Sequence, residues 1–146
     1  MKGVITVDIG TTSMRAVLYD ADSHLIHMDQ QENIPEYFND GRVEQDASAW
    51  ANILPVVLRN CATAAQARGI LPTCIAVTAQ RSSVIPLDGD GNPLHPAIMW
   101  QDRRTAELAQ SLNDENPRVY RKTGLKISPV FSAIKMTWLR RHRPDI

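Results

Sequence analysis

The order of apolar runs in the first half of the chain restricts the fold more than any other feature of this sequence. Three candidate strands, near 4–8, 14–19 and 25–31, are joined by connections too short to cross a sheet, so consecutive strands must pair antiparallel. A helical segment then leads to a fourth apolar run at 73–80. A strand that is reached through a helix can lie parallel to an earlier one. The sequence therefore predicts an α/β fold with a mixed sheet and helices on its faces.

The segment after the third strand is expected to be a loop as far as Asp46, which has the residue type of a helix N-cap. Apolar residues recur at helical spacing after it, and Gly69 marks the expected end. Pro55 lies inside this window, so the helix either bends there or begins later than the periodicity suggests. Three shorter helices are expected at about 102–112, 117–123 and 132–143.

A hairpin insertion is expected at about 82–100, between the fourth strand and the shorter helices. The segment DGDGN, residues 88–92, has the Asp-Gly and Gly-Asn pairs that mark a turn. Apolar residues flank it on both sides, which predicts two short strands.

Composition favours a small-molecule partner. The 146 residues include 16 basic and 16 acidic side chains, so the net charge is zero and no long-range field draws the chain to nucleic acid or to an anionic membrane. No apolar run has the length of a membrane helix or the form of a signal peptide. Cys61 and Cys74 lack paired or metal-binding spacing. We therefore expect a cytoplasmic protein of one domain or lobe, with reduced thiols.

The connection between the first two strands has the composition of a phosphate-binding turn. A tight turn that contains glycine directs successive backbone N–H groups to one point, and small hydroxyl side chains add donors without bulk. The Walker A and dinucleotide-binding signatures are absent, and a strand follows the turn where those motifs have a helix. The candidate ligands of a triphosphate are Gly10, Thr11, Thr12 and Ser13.

Two charged residues flank this turn. Asp8 ends the first strand, where a carboxylate can hold Mg²⁺ directly or through water. Arg15 lies on the second strand, where it can contact the same phosphates. The alternative is that the segment forms an ordinary hairpin turn, and these residues alone leave both interpretations open.

Two further blocks of sequence accompany the turn. They are TAQRSSVIPLDGDGNPLHPAIMWQDRRTAEL (78–108) and YRKTGLKISPVFSAIKMTWLRRHRPD (120–145). With the turn, they resemble the N-terminal part of the FGGY carbohydrate kinases, most closely the glycerol-kinase branch. This resemblance and the strand order imply the ribonuclease-H-like, actin-like ATPase fold. Residues 1–146 are then expected to form an incomplete first lobe of a kinase that uses ATP to phosphorylate a sugar or polyol.

The resemblance also implies roles for the residues of the turn. Asp8 matches the metal-associated aspartate of the family's first phosphate loop. The positions that match the nucleotide contacts of this loop are Thr11, Thr12, Ser13 and Arg15.

The substrate side of the family's site matches a second set of residues. Gln80 and Arg81 match a Gln-Arg pair whose arginine binds substrate hydroxyls in glycerol kinases. Glycerol kinases have a glutamate at the next position, where this chain has Ser82, and the tyrosine expected near the Pro-x-Phe-Ser segment is Val130. Unmatched buried polar groups cost about 1–3 kcal/mol each. Glycerol is therefore a poor match, and a larger polyol or a ketose sugar is expected.

Trp100 and Asp102 lie in a segment that borders the sugar site in this family. Trp100 can form an apolar wall there or belong to the core. Asp102 can accept a hydrogen bond from a substrate hydroxyl or cap a helix that begins at Arg103. The sequence leaves both choices open. Trp50 and Trp138, which have aliphatic neighbours at helical spacing, are expected in the core.

No residue of the chain matches the catalytic base of the family. The resemblance places this base in an aspartate beyond residue 146 and the adenine pocket in a second lobe, so the chain alone is expected to be inactive. An incomplete lobe leaves a sheet edge and apolar helix faces uncovered, which favours a homodimer or strand exchange.

Two other function classes share this core fold. A nuclease needs several carboxylates around two metals, but the first helical segment contains no glutamate and the fourth strand ends in Gln80 and Arg81. A non-catalytic nucleotide-binding or assembly protein with an actin-like core needs no catalytic base. The sequence leaves that alternative open.

Overall fold

The computed structural model describes residues 1–146, which divide into two compact units that the sequence did not predict. The first unit comprises Met1–Ile34 and Ser48–Gln80, and the second comprises Pro35–Ala47 and Arg81–Ile146. In chain order, the strands are β1 (Lys2–Ile9), β2 (Ser13–Asp20), β3 (Leu25–Glu32), β4 (Glu36–Tyr37), β5 (Val43–Gln45), β6 (Leu71–Ala79) and β7 (Ala97–Ile98). The helices are α1 (Ala47–Ala67), α2 (Ala106–Ser111), α3 (Asn116–Thr123) and α4 (Ser132–His142), with a 3₁₀ turn at Asn113–Glu115. None of these helices combines the length and the apolar character that crossing a bilayer requires.

The first unit contains the mixed sheet that the sequence predicts. Its strand order is β3-β2-β1-β6, and β2 pairs antiparallel with both of its neighbours. β6 follows α1 along the chain and pairs parallel with β1. The predicted strands are therefore confirmed, with small shifts at their ends. This order leaves β3 and β6 at the two edges of the sheet.

Helix α1 ends at the glycine that the sequence marks. The backbone N–H of Ile70 donates to the carbonyl of Ala65 at 2.9 Å, and the N–H of Gly69 donates to that of Gln66 at 3.1 Å. This pair of bonds is the Schellman ending, which needs a left-handed residue, and Gly69 has a φ of +63°. The helix includes Pro55 and begins directly after Asp46. A later start, one of the two alternatives left open above, is therefore wrong.

The core of the first unit lies between one face of the sheet and α1. Alternate residues of a strand point to the same face, so Ile5 and Val7 of β1 point into the core while Asp8 points to the opposite face. The buried members of this cluster are Ile5, Val7, Ala16, Leu18, Val57, Cys61, Ala65 and Ile70. The core therefore fixes β1 and β2, the two strands that carry the turn.

The second unit contains a small antiparallel sheet of order β4-β5-β7. The prediction of a loop before Asp46 is wrong here, because β4 and β5 lie inside it and are too short to give a periodic pattern. Of the strands predicted on both sides of 88–92, the second survives as β7, which pairs with β5, and the pairing across the turn is reduced to isolated antiparallel bridges, Val84 to Ile98 and Leu87 to Pro93. Proline has no N–H to donate, and the prolines of this region are Pro86, Pro93 and Pro96.

The first helix of the second unit is shorter than the sequence predicts. The expected start near residue 102 is wrong, because the carboxylate of Asp102 accepts the backbone N–H of Arg104 at 3.0 Å and holds the chain in a turn. Such local bonds compete with helix formation, and α2 begins only at Ala106. Asp102 therefore does not cap a helix that begins at Arg103.

Helices α3 and α4 lie at their predicted positions. Gly124, with a φ of +71°, ends α3. On α4, Trp138 packs against the buried cluster of Val84, Ile98 and Leu139. Trp138 and Trp50 are both half-buried, so the prediction that they lie in the core is met only in part.

Candidate functional site

The turn between β1 and β2 is closed by its own backbone. The N–H of Gly10 donates to the carbonyl of Ser13 at 2.9 Å, and the carbonyl of Thr12 accepts the N–H of Asn33 at 2.9 Å. A Cβ atom at Gly10 would lie 2.9 Å from the carbonyl oxygen of Ser13, closer than real Cβ contacts. The turn therefore requires glycine at this position.

Gln80 braces this turn from the end of β6. Its backbone N–H donates to the carbonyl of Ile9 at 3.0 Å. Its side-chain Nε2 donates to the carbonyl of Gly10 at 3.4 Å, and its Oε1 accepts the hydroxyl of Thr11 at 3.3 Å. The sequence assigned Gln80 to the substrate, whereas the structure brings it onto the proposed phosphate turn. The contact with the turn arises because β6 lies parallel to β1 and its end reaches the same edge of the sheet, and the substrate contact of Gln80 stays a prediction.

Asp8 and Arg15 form an ion pair across the two strands. They are register partners, and Arg15 Nη2 lies 2.8 Å from Asp8 Oδ2 with both side chains partly exposed. Beside them, Ser13 Oγ accepts a hydrogen bond from Gln30 Nε2 at 3.2 Å. The first unit thus places a half-exposed carboxylate, an arginine and hydroxyl groups at one end of the β1–β2 hairpin.

The segment of the second unit that starts at Arg81 carries most of the residues predicted to contact the substrate. Arg81 is exposed. Ser82 has a φ of +70°, a conformation uncommon for residues other than glycine and often retained at functional sites. Ser83 Oγ accepts the backbone N–H of Trp100 at 3.1 Å. Trp100 is 39% exposed, which favours a surface role over the core.

Asp102 is buried and its carboxylate is engaged by protein donors. Oδ2 accepts the N–H of Val43 at 2.7 Å and Nη2 of Arg104 at 2.8 Å. Oδ1 accepts the backbone N–H and Nε of Arg104 at 3.0 and 2.9 Å. A carboxylate has about four acceptor positions, so the geometry favours Asp102 as a residue that orders the site over one that contacts a substrate hydroxyl.

Arg104 connects this aspartate to a second carboxylate. Its Nη2 donates to Glu44 Oε1 at 2.6 Å, and its guanidinium lies 5.1 Å from the ring centre of Trp138. Burial alone would lower the pKa of Arg104, but the hydrogen bonds to Asp102 and Glu44 raise it above its usual value. The sequence did not identify Glu44 or Arg104, because partners 60 residues apart give no local pattern.

Residues 3–146 match the N-terminal domain of the FGGY family of carbohydrate kinases. A glycerol kinase of Cereibacter sphaeroides is 38% identical over 145 residues, covering 97% of this chain and 29% of the relative. The crystal structure of Plasmodium falciparum glycerol kinase with ADP has a TM-score of 0.93 and 27% identity, covering 99% of this chain and 30% of that one. The structure of a xylulose kinase from Rhodospirillum rubrum has a TM-score of 0.91 and 27% identity, with the same coverage.

These matches agree with the strand order and with the sequence blocks described above. The fold is the actin-like, ribonuclease-H-like one predicted from the sequence. The chain spans about 30% of the length of the relatives that it matches. The chain belongs to the FGGY family of carbohydrate kinases and corresponds to its N-terminal domain.

Proposed function

We propose that the complete protein containing this chain transfers the γ-phosphoryl group of ATP to a hydroxyl of a sugar or polyol. The observation that carries this proposal is the closed Gly10 turn, with Asp8 and Arg15 beside it in a chain of this family. In the transfer, the acceptor oxygen bonds to the γ-phosphorus, the bond to the β,γ-bridging oxygen breaks, and ADP leaves with those electrons.

We propose the turn at 10–13 as the binding site of the triphosphate. Backbone N–H groups and the hydroxyls of Thr11, Thr12 and Ser13 supply donors to phosphate oxygens. Arg15 can exchange its partner Asp8 for a phosphate oxygen, because an exposed ion pair holds its partners only weakly. Gln80 keeps the turn in shape from β6.

Asp8 fits a magnesium site. Mg²⁺ in kinases is held by one or two carboxylates together with substrate phosphates and water, and Asp8 offers one partly exposed carboxylate at the end of β1. Bound there, directly or through water, the ion would neutralise charge on the β- and γ-phosphates.

Arg81 and Ser82 are the proposed acceptor contacts, with Trp100 as an apolar wall. The short side chain of Ser82 and the apolar Val130 replace a glutamate and a tyrosine of glycerol kinases, so we propose a larger polyol or a ketose as acceptor. The base that removes the acceptor proton is proposed to be an aspartate outside this chain, as in the family.

A phosphorylation assay on the complete gene product tests the function. We expect ATP-dependent phosphorylation of at least one ketose or polyol longer than glycerol, with glycerol a poorer substrate. The 146-residue chain is expected to show no turnover. ATP binding without phosphorylation of any acceptor in a panel of polyols and ketoses would favour the alternative of an assembly protein.

Changing Gly10→Ala is expected to weaken ATP binding. The new Cβ would lie 2.9 Å from the carbonyl oxygen of Ser13, so the turn must open and its N–H groups diverge. We expect the KM for ATP to rise by about tenfold, equal to about 1.4 kcal/mol, with the acceptor KM unchanged. Gly89→Ala is the matched control, because no atom lies within 4 Å of its added Cβ. Equal ATP kinetics for the two variants would contradict the assignment of the turn.

The isolated chain is proposed to form a homodimer through β6. This edge strand has no charged residue, and its Leu71, Ile75 and Val77 are 67%, 55% and 65% exposed. Uncharged, exposed edge strands pair with other strands. We expect Ile75→Lys to abolish the dimer in light scattering after size exclusion, whereas Tyr120→Lys, a residue that is also 55% exposed, should not. A wild-type chain that stays at 16.3 kDa at all concentrations would contradict this.

A cytoplasmic location without nucleic-acid or membrane partners is also proposed. Both cysteines are free thiols. Burial raises the pKa of Cys61, so its thiol stays protonated and unreactive. The balanced charge of the chain supports a small-molecule partner.

A further inference from the structure

A fully buried lysine lies on α4 in the second unit. Lys135 is 0% exposed and is the largest of the fully buried residues by volume. Its Nζ donates to the carbonyl of Pro129 at 2.8 Å and to that of Val130 at 2.6 Å. Burying an ammonium group is costly, and an apolar side chain of similar volume is often at least as stable. Packing alone therefore does not account for a lysine here.

The lysine holds together a turn of the backbone. The N–H of Phe131 donates to the carbonyl of Ser128 at 3.1 Å, which closes the turn at 128–131. Inside it, the consecutive carbonyls of Pro129 and Val130 point at the same Nζ atom. Two carbonyl oxygens directed at one point repel each other unless a donor lies between them, and an ammonium group has three N–H bonds to offer.

The carbonyl of Pro129 is also linked to residues 100–105, the segment that carries Trp100, the proposed apolar wall of the acceptor site. Thr105 Oγ1, also fully buried, lies 3.5 Å from the carbonyl oxygen of Pro129. Asp102, in the same segment, attracts the Lys135 ammonium group, and Arg104 repels it. The turn at 128–131 is thus joined to residues 100–105 by one hydroxyl and by charge.

The charges around Lys135 balance. Burial, which Asp102 opposes and Arg104 reinforces, lowers the pKa of Lys135 to about 8. Glu44 pairs with Arg104, so at neutral pH two positive residues, Lys135 and Arg104, lie with two negative ones, Asp102 and Glu44. A neutral amine keeps two N–H bonds, enough for both carbonyls, so the link to the turn does not depend on the charge.

We propose that Lys135 is a positioning residue for the acceptor side of the kinase, a proposal that rests on the function proposed above. It fixes the 128–131 turn against the 100–105 segment. Val130 and Trp100, each 39% exposed, are then presented to the acceptor in a defined arrangement. Lys135 does not itself contact substrate, because its side chain is enclosed and directed at the two carbonyls.

The kinetic test is Lys135→Met in the complete gene product. Methionine keeps most of the volume and removes every donor. We expect the KM for the acceptor to rise by about tenfold, as for a misplaced binding surface, while kcat and the KM for ATP stay within about twofold. Lys126→Met is the matched control, because it removes an exposed lysine of the same unit and should leave all three constants unchanged.

Hydrogen exchange of the same variants gives a readout that needs no activity. In Lys135→Met, the N–H of Phe131 should exchange faster while the amides of β1 and β2 keep their rates. If Lys135→Met fails to fold, Thr105→Val replaces it, since it removes only the second donor to Pro129 and should shift the acceptor KM in the same direction by a smaller factor. An unchanged acceptor KM and unchanged exchange in a folded variant would overturn the proposal, as would equal rises in both KM values.

Failure of the proposed function is distinguishable from failure of this inference. If the wild-type protein phosphorylates no acceptor, the function proposed above is wrong, and a positioning role for an acceptor is wrong with it. If the wild type is active and Lys135→Met has wild-type acceptor kinetics, only the role of Lys135 is wrong.

Discussion

Asp8→Asn should reduce kcat of the complete protein by about 10²–10³-fold, the range for losing one group that stabilises transferred charge. Asparagine has the same shape but cannot supply the negative charge that holds Mg²⁺ beside the phosphates. We expect the apparent affinity for Mg²⁺ to fall as well. Steady-state kinetics at several Mg²⁺ concentrations measure both effects.

Measuring the stability of Asp8→Asn shows whether a loss of kcat comes from the site or from unfolding. The Asp8–Arg15 pair is partly exposed, and such pairs contribute about 0–1 kcal/mol, so the unfolding curve of Asp8→Asn should nearly match the wild type. Asp22→Asn, in the exposed turn after β2, is the control and should keep full activity. If kcat of Asp8→Asn stays within about threefold of the wild type, Asp8 is not the metal-associated residue.

Asp102→Leu should destabilise the chain by about 3–5 kcal/mol, the usual result of removing one partner of a buried ion pair. The change leaves the guanidinium of Arg104, whose side chain is 5% exposed, without its main partner. It also leaves the N–H of Val43 without its acceptor. Urea unfolding followed by tryptophan fluorescence measures the loss.

A double variant tests the cause of this loss. Asp102→Leu with Arg104→Met also removes the unpaired guanidinium and leaves one positive group, Lys135, and one negative group, Glu44, so part of the lost stability should return. Asp145→Asn removes one carboxylate of an exposed pair with Arg143 and should change little. A loss for Asp102→Leu no larger than that for Asp145→Asn would show that the buried network does not stabilise the fold.

The parts predicted well from the sequence are those that repeat a local pattern. The β1–β2 hairpin and α1 have alternation or helical spacing over many residues, and the left-handed Gly69 gives α1 a clear end. The strand order followed from connection lengths, because a short turn permits only antiparallel pairing. These patterns involve residues close together in sequence, so they can be recognised without knowing the rest of the fold.

The parts that were missed depend on partners distant in sequence. Asp102 binds the N–H of Val43, 59 residues away, and this network shortens α2 and replaces the predicted cap. Gln80 reaches the β1–β2 turn only because β6 lies parallel beside β1. Lysine is almost never fully buried, so no sequence rule indicated the burial of Lys135 on α4.

In the function proposed above, the β1–β2 turn binds the triphosphate of ATP. A crystal structure of the complete protein with Mg²⁺ and a non-hydrolysable ATP analogue tests it most directly. We expect phosphate oxygens within hydrogen-bond distance of backbone N–H groups at 10–13, and the metal bound to Asp8 directly or through water. An analogue at full occupancy whose phosphates lie away from this turn would contradict the account.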